Sequence, residues 1–257
     1  MYKKKKYRVK PLDKLAEEIN RVKLFAPRTR RVFLADGNAL SIEFSQLQEI
    51  LSLLREAFPR LERVAVYGNP HDLLEKRASE LSALGEAGLK MIYLGMESGS
   101  ARVLEAIRKG VTPEEIACGA DKLKGSGIAL SVTVLNGLAG REGSEEHALE
   151  SAKLLSRIDP EYIGLLSLIT VPGTTMYRLF KEGKLTPLNP WELLEEIRLI
   201  AAGLDLTSSV FRANHASNYL PLKATFPEDK ERLLKSLGKV IEEKRPSSIK
   251  GEYMRGL

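Results

Sequence analysis

The 257-residue sequence contains one cysteine, Cys118. A lone thiol excludes an internal disulfide framework and any multi-cysteine metal site built from this chain. No metal ligand is therefore assigned within it. Long apolar runs are also missing; none approaches the roughly 20 residues that cross a bilayer, so a membrane partner is not expected. Acidic residues are absent from the first ten positions, MYKKKKYRVK, where Lys3, Lys4, Lys5, Lys6, Arg8 and Lys10 stand together. That stretch has the charge of a signal-peptide start without the apolar segment that should come after it. The expected location is the cytoplasm.

The basic arm also accounts for the net charge. Of the 40 basic residues, six lie in the arm, against 34 acidic residues in the whole chain, and the formal net charge is +6. The basic character belongs to one arm, not to a basic surface, so nucleic acid is not the favoured partner. With 43% hydrophobic and 29% charged residues, the composition is globular. The length suits one domain.

Short runs rich in β-branched and aromatic residues predict strands over 31–35, 63–67, 91–95, 129–135 and 162–169. Between them, apolar residues recur at helical spacing over 11–25, 45–58, 71–88, 112–127 and 144–158. Asn189-Pro190 marks the start of a further helix, WELLEEIRLIAAGL. Regular strand–helix alternation implies an α/β fold with a parallel sheet, barrel-like or doubly wound. Residues 244–257 read as a polar tail, loosely ordered. Cys118, within a helix, reads as a small buried apolar residue.

The segments after the five strands are DGNAL, GNPHD, MESGS, NGLAGREGS and TVPGTT. Each contains glycine and hydrogen-bonding side chains. The connections at the opposite strand ends are shorter and plainer. Ligands of parallel β/α folds sit at the C-terminal strand ends, where glycine lets backbone N–H groups approach closely. The pattern points to a polar or anionic ligand across these ends. A single glycine-containing loop would mean only turn chemistry.

The stretch YLGMESGSARVLEAIRKGVTPEEI resembles the fourth-strand region of radical S-adenosylmethionine enzymes. It is most similar to the branch of methylthiotransferases and oxygen-independent coproporphyrinogen oxidase-like proteins. FLADGNAL, TVLNGLAGREGS and SLITVPGTTMY are similar to that family's Gly-Gly-Glu region, fifth-strand glycine motif and sixth-strand motif. The resemblance implies a partial parallel β/α barrel over 11–243, TIM-like, preceded by the basic arm 1–10 and lacking its first strand. It implies S-adenosylmethionine as cofactor, with Asp36, Gly37 and Asn38 near the methionine amino group. Glu97 and Ser98 would lie near the ribose, Lys109 at the methionine carboxylate, and Gly137, Gly140, Val171 and Pro172 about the adenine. In the polar stretch VFRANHASNYLPLK, Arg212, Asn214 and His215 are candidates for an anionic substrate. His71 and His147 are weaker ones.

Two departures bear on the chemistry. The fifth-strand motif has Ala139-Gly140-Arg141-Glu142 where the family has Pro-Gly-Glu-Thr. The three cysteines spaced C-x-x-x-C-x-x-C are absent, and thiolates are what hold an iron–sulfur cluster. A [4Fe-4S] cluster is expected only if cysteines are encoded upstream of Met1. On that reading the complete protein is a radical enzyme with an electron donor, acting on an unknown substrate. Two alternatives stand beside it. One is a cysteine-free module binding adenosylmethionine or another nucleotide; the other is an RNA-binding or RNA-modifying protein using the basic arm.

Overall fold

The computed structural model describes residues 8–35 and 37–256. Among the described residues, seven strands succeed one another in sheet order β1 to β7. The fold is α/β with a mostly parallel sheet, as the strand–helix alternation implies. The chain divides into two compact units, one through Leu94 plus Cys118–Leu130, the other Gly95–Ala117 plus the residues from Ser131 onward.

The first unit opens with helix α1 (Leu12–Phe25), of which only Ile19 is buried. Strand β1 (Arg31–Leu34) and helix α2 (Phe44–Ala57) come next. Helix α2 buries Leu47, Ile50, Leu51 and Leu54, one stripe at helical spacing. Strand β2 (Arg63–Gly68) pairs in parallel with β1 and with β3 (Leu89–Glu97), which runs on past the end of this unit. The helix expected over 71–88 is two helices, α3 (Pro70–Glu75) and α4 (Ala78–Glu86). They break because Lys76 and Arg77 are extended. The Lys76 ammonium donates to the Ile42 carbonyl at 3.0 Å, and Arg77 opens α4 with its N–H bonded to Glu80.

Phe33, Tyr67 and Tyr93 bring their rings together across β1, β2 and β3, with centroids 4.7–6.0 Å apart. A cavity of about 940 Å³ lies between α1, β1 and α2, lined by Ile19, Val22, Val32, Leu34, Ile50 and Leu54.

Helices α5 (Ala101–Ala106) and α6 (Pro113–Asp121) come next in the chain. Cys118 lies on α6 and is exposed, contrary to the buried position expected of it. Ile116, Ala117 and Ala120 occupy the buried positions around it.

The second unit holds β4 (Ala129–Asn136) from Ser131 onward, paired in parallel with β5 (Tyr162–Ser167). Between them runs α7 (Gly140–Ile158), with nine buried residues. It begins four residues before the expected start at Ser144. After β5 come α8 (Thr175–Lys181) and α9 (Pro190–Gly203). The Asn189-Pro190 start is as expected: Asn189 accepts the N–H groups of Trp191 and Glu192, and Glu192 returns a bond to the Asn189 N–H.

Helix α8, two strands and one further helix were not expected from the sequence. Strand β6 (Ser209–Ala213) pairs in parallel with β5, while β7 (Leu222–Phe226) pairs antiparallel with β6. The stretch marked for its polar residues is thus the end of β6, a turn, and the start of β7. Helix α10 (Lys230–Glu243) packs against α9 and β7.

The stretch after α10 is not loose. Arg255 lies under Tyr219, with its guanidinium carbon 4.2 Å from the ring centroid. Its N–H groups donate to the carbonyls of Ser217 (2.6 Å) and Leu168 (3.0 Å) and to Glu252. Its side chain is 5% exposed.

Candidate functional site

The tip of β3 carries the strongest local signature. Glu97 has φ +66°, a left-handed conformation that costs a non-glycine residue about 1–2 kcal/mol. The carboxylate accepts from the Lys109 ammonium at 3.1 Å, with side chains 27% and 16% exposed. Lys109 lies beyond α5 and precedes Gly110, which has φ +82°. A Cβ on Gly95 would meet Glu97 Oε1 at 2.5 Å and Lys109 Nζ at 3.4 Å. The glycine therefore leaves the space in which the pair lies.

Ser98 turns the other way. It is fully buried, and its hydroxyl shares a 2.8 Å hydrogen bond with His147 Nδ1 on α7 while accepting the Ser100 N–H. Burial pulls the His147 imidazole down to about 4, against the pull of Glu146 and of the Leu135 backbone. The ring is neutral at ordinary pH.

The loop after β4 is fixed from α9. Gly137 has φ +78°, and its N–H donates to Glu196 Oε1 at 2.6 Å. Glu196 also accepts from the Ser144 hydroxyl. Glu196 is fully buried, and burial pushes its carboxyl up to about 7, against the hydrogen bonds from Ser144 and Gly137. At Gly140, with φ +65°, a Cβ would meet the Thr186 carbonyl oxygen at 3.2 Å. This glycine makes room for the chain itself.

The remaining sequence candidates are dispersed. Asp36 lies outside the described residues. Gly37, with φ +140° and open space around it, and Asn38 lie in the first unit. Val171 and Pro172 are exposed in the loop after β5, where the Val171 carbonyl accepts the N–H and hydroxyl of Thr174. Arg212 donates to the carbonyl of Phe211. Asn214 is exposed, and His215 Nδ1 closes a local turn with Ser217. The structure thus brings Glu97 and Lys109 into contact and holds the Gly137 loop by Glu196.

Sequence reading missed Glu196, which looks like any helical glutamate in WELLEEIRLI. Its one signal is position: Leu193, Ile197 and Ile200 make Glu196 part of the buried stripe of α9.

A mostly parallel β/α sheet with polar, glycine-bearing strand tips defines an α/β protein of the barrel-related class. The profile of the radical SAM superfamily matches residues 1–155, and the chain belongs to that superfamily. Among curated proteins it is 22% identical over 158 residues to the tRNA uridine(34) acetyltransferase of Methanocaldococcus jannaschii, covering 61% of this chain and 28% of that protein. It is 28% identical over 95 residues to an uncharacterised methyltransferase of Pyrococcus horikoshii, covering 37% and 20%. The chain thus spans under a third of the length of these relatives.

Among solved structures it resembles an N-terminally shortened Elp3 of Methanocaldococcus infernus. The TM-score is 0.58 at 17% identity, over 90% of this chain and 58% of that one. It also resembles coproporphyrinogen III oxidase of Escherichia coli, a radical SAM enzyme, with TM-score 0.59 at 18% identity over 74% and 44%. These likenesses establish the fold.

The groups that the family implies fit unequally. An ammonium and a carboxylate side by side at a strand tip suit the methionine carboxylate and the ribose hydroxyls of S-adenosylmethionine. A cluster with cysteine ligands does not fit these 257 residues: Cys118 is the sole thiol, and no group of three metal-ligating side chains occurs among the described residues. No helix among the described residues is long and apolar enough to cross a membrane.

Proposed function

We propose that this chain binds S-adenosylmethionine at its strand tips, as the cofactor-holding part of a radical SAM protein. The observation that carries the reading is the Glu97–Lys109 pair: a carboxylate on strained backbone and a mostly buried ammonium, 3.1 Å apart at the end of β3. Such strain persists where its surroundings over-determine it, and it concentrates at functional sites. Lys109 would take the methionine carboxylate and Glu97 the ribose hydroxyls. The Gly137–Gly140 loop would face the adenine with Val171 and Pro172.

In a form of the protein that supplies cluster thiolates, bound S-adenosylmethionine would provide a 5′-deoxyadenosyl radical for hydrogen abstraction from substrate. The residues of this chain bind and orient; no step of that cleavage is assigned to them. Titration calorimetry tests the reading. The wild-type chain should bind S-adenosylmethionine, and Glu97→Ala should weaken binding about tenfold, the loss of one charge-assisted contact. Absence of binding by the folded wild type, or unchanged affinity in the variant, overturns it.

RNA substrates form a second reading. It is supported by the name of the archaeal relative, a tRNA acetyltransferase, and by the six cations of the first ten residues. Salt-dependent RNA binding that weakens on replacing those cations would favour it.

A further inference from the structure

Glu196 and His147 are titratable side chains with no exposure at all, and the proposed binding contacts leave both unused. Both are fully buried, and both stand between the two loops that matter most. His147 Nδ1 bonds the Ser98 hydroxyl at the β3 tip at 2.8 Å, one residue after Glu97. Its Nε2 faces Glu196 Oε1 at 3.8 Å, beyond hydrogen-bond length but close enough for the two neutral groups to sense each other's protonation. Glu196 in turn holds the Gly137 N–H at 2.6 Å and the Ser144 hydroxyl.

Burying a carboxyl in a helix layer is costly without partners, and an apolar residue would suit the stripe of α9 better. Glutamine or serine could also supply an acceptor to one N–H. A carboxyl offers both oxygens at once, to the loop and to the first turns of α7. The β4–α7 loop needs such a fastening. Gly137 sits at φ +78°, and a Cβ there would meet Leu193 at 3.0 Å.

We infer that Glu196 is the positioning residue of the glycine loop after β4, and that His147 couples it to the β3 tip that carries Glu97. This rests on the binding reading above for its purpose, though not for its geometry. The two loops that would face the ribose and the adenine thus share one buried polar chain: Ser98, His147, Glu196, Gly137.

Glu196 protonation should be visible in this chain. The charged neighbours are accounted for. His147 faces Glu196 from α7, and Arg141 on the same helix is engaged by Glu192. On its own helix Glu195 is paired with Arg198, while Lys244 beyond α10 acts on Glu192. Residues 135–137, which approach Glu196 from β4 and its loop, carry no titratable side chain.

The test tracks backbone amide resonances of the deuterated, ¹⁵N-labelled chain from pH 5.5 to 8.5, with S-adenosylmethionine calorimetry alongside. In the wild type the Gly137 amide should move downfield as Glu196 ionises, and in Glu196→Gln it should be flat. The Ser100 amide, bonded to the Ser98 hydroxyl, should shift between wild type and Glu196→Gln. Affinity should fall at least tenfold in Glu196→Ala and recover largely in Glu196→Gln, which keeps an acceptor oxygen. His147→Gln should also shift the Gly137 amide.

A Gly137 amide indifferent to pH in the wild type, or a folded Glu196→Ala of wild-type affinity, overturns the positioning role. Ser100 indifferent to Glu196→Gln overturns the coupling. If the wild type binds no S-adenosylmethionine, the proposed function fails, and the amide resonances still decide whether Glu196 fastens the loop.

Discussion

Gly95 and Glu97 are bound by a spatial exclusion: a single methyl group on Gly95 would lie 2.5 Å from the Glu97 carboxylate. Gly95→Ala should therefore displace the carboxylate from Lys109 with little loss of stability, because the clash is with the far end of a flexible side chain. Gly99→Ala is the contrast. Its Cβ would meet the Glu150 carbonyl oxygen at 2.2 Å, a backbone atom of a packed helix, and should cost about 1–3 kcal/mol. Paired urea melts and calorimetry separate the two outcomes: ligand affinity lost at 95, stability lost at 99.

Backbone strain at Glu97 gives a second prediction. Glu97→Gly should be more stable than Glu97→Ala by about 1 kcal/mol, since glycine accepts φ +66° and alanine does not. Both should bind ligand more weakly than the wild type. Thermal melts showing the alanine variant equal or superior would mean the strain is not real.

The buried pair predicts an unusual pH profile. Glu196 is raised from 4.5 to about 7, so it alone makes stability fall as pH rises between those values. His147 is lowered from 6.5 to about 4, so it alone makes stability rise with pH across that window. Unfolded, the pair would be charged; folded, it would be neutral, with the same number of protons. Between about pH 4.5 and 6.5 their contributions should cancel. Glu196→Gln should expose the histidine slope, with stability climbing from pH 4.5 to 6.5. Denaturant melts at several pH values in that window check this; a slope in the wild type equal to that of the variant would contradict it.

Strand tips were largely legible because turn chemistry and strand composition are local signals. RVFLA, RVAVY and MIYLG announce strands by their β-branched and aromatic content, and a glycine marks the turn at the end of each. Strands β6 and β7 were not legible. SVFRA and LKATF are five residues each, and the polar turn between them drew attention away from their alternation. The break between α3 and α4 depends on Lys76 reaching Ile42, a contact distant in sequence. Glu196 was hidden for the same reason: its partners, Gly137 and Ser144, are more than fifty residues away.

Arg255→Ala should release the segment after α10 and cost about 2 kcal/mol or more, since several charge-assisted bonds vanish and the Leu168 and Ser217 carbonyls lose a donor. Urea denaturation measures the cost. Trypsin cleavage after Lys250, slow in the wild type, should become rapid.

The same anchor matters to anyone handling the protein. A purification tag, dye or fused domain joined just beyond Arg255 begins beside the loop after β5 and pulls on a guanidinium that holds Leu168. Gly238 on α10 makes a neutral handle, with helical backbone and nothing within 4 Å of where a side chain would grow. An attachment there would leave the strand tips to report on themselves.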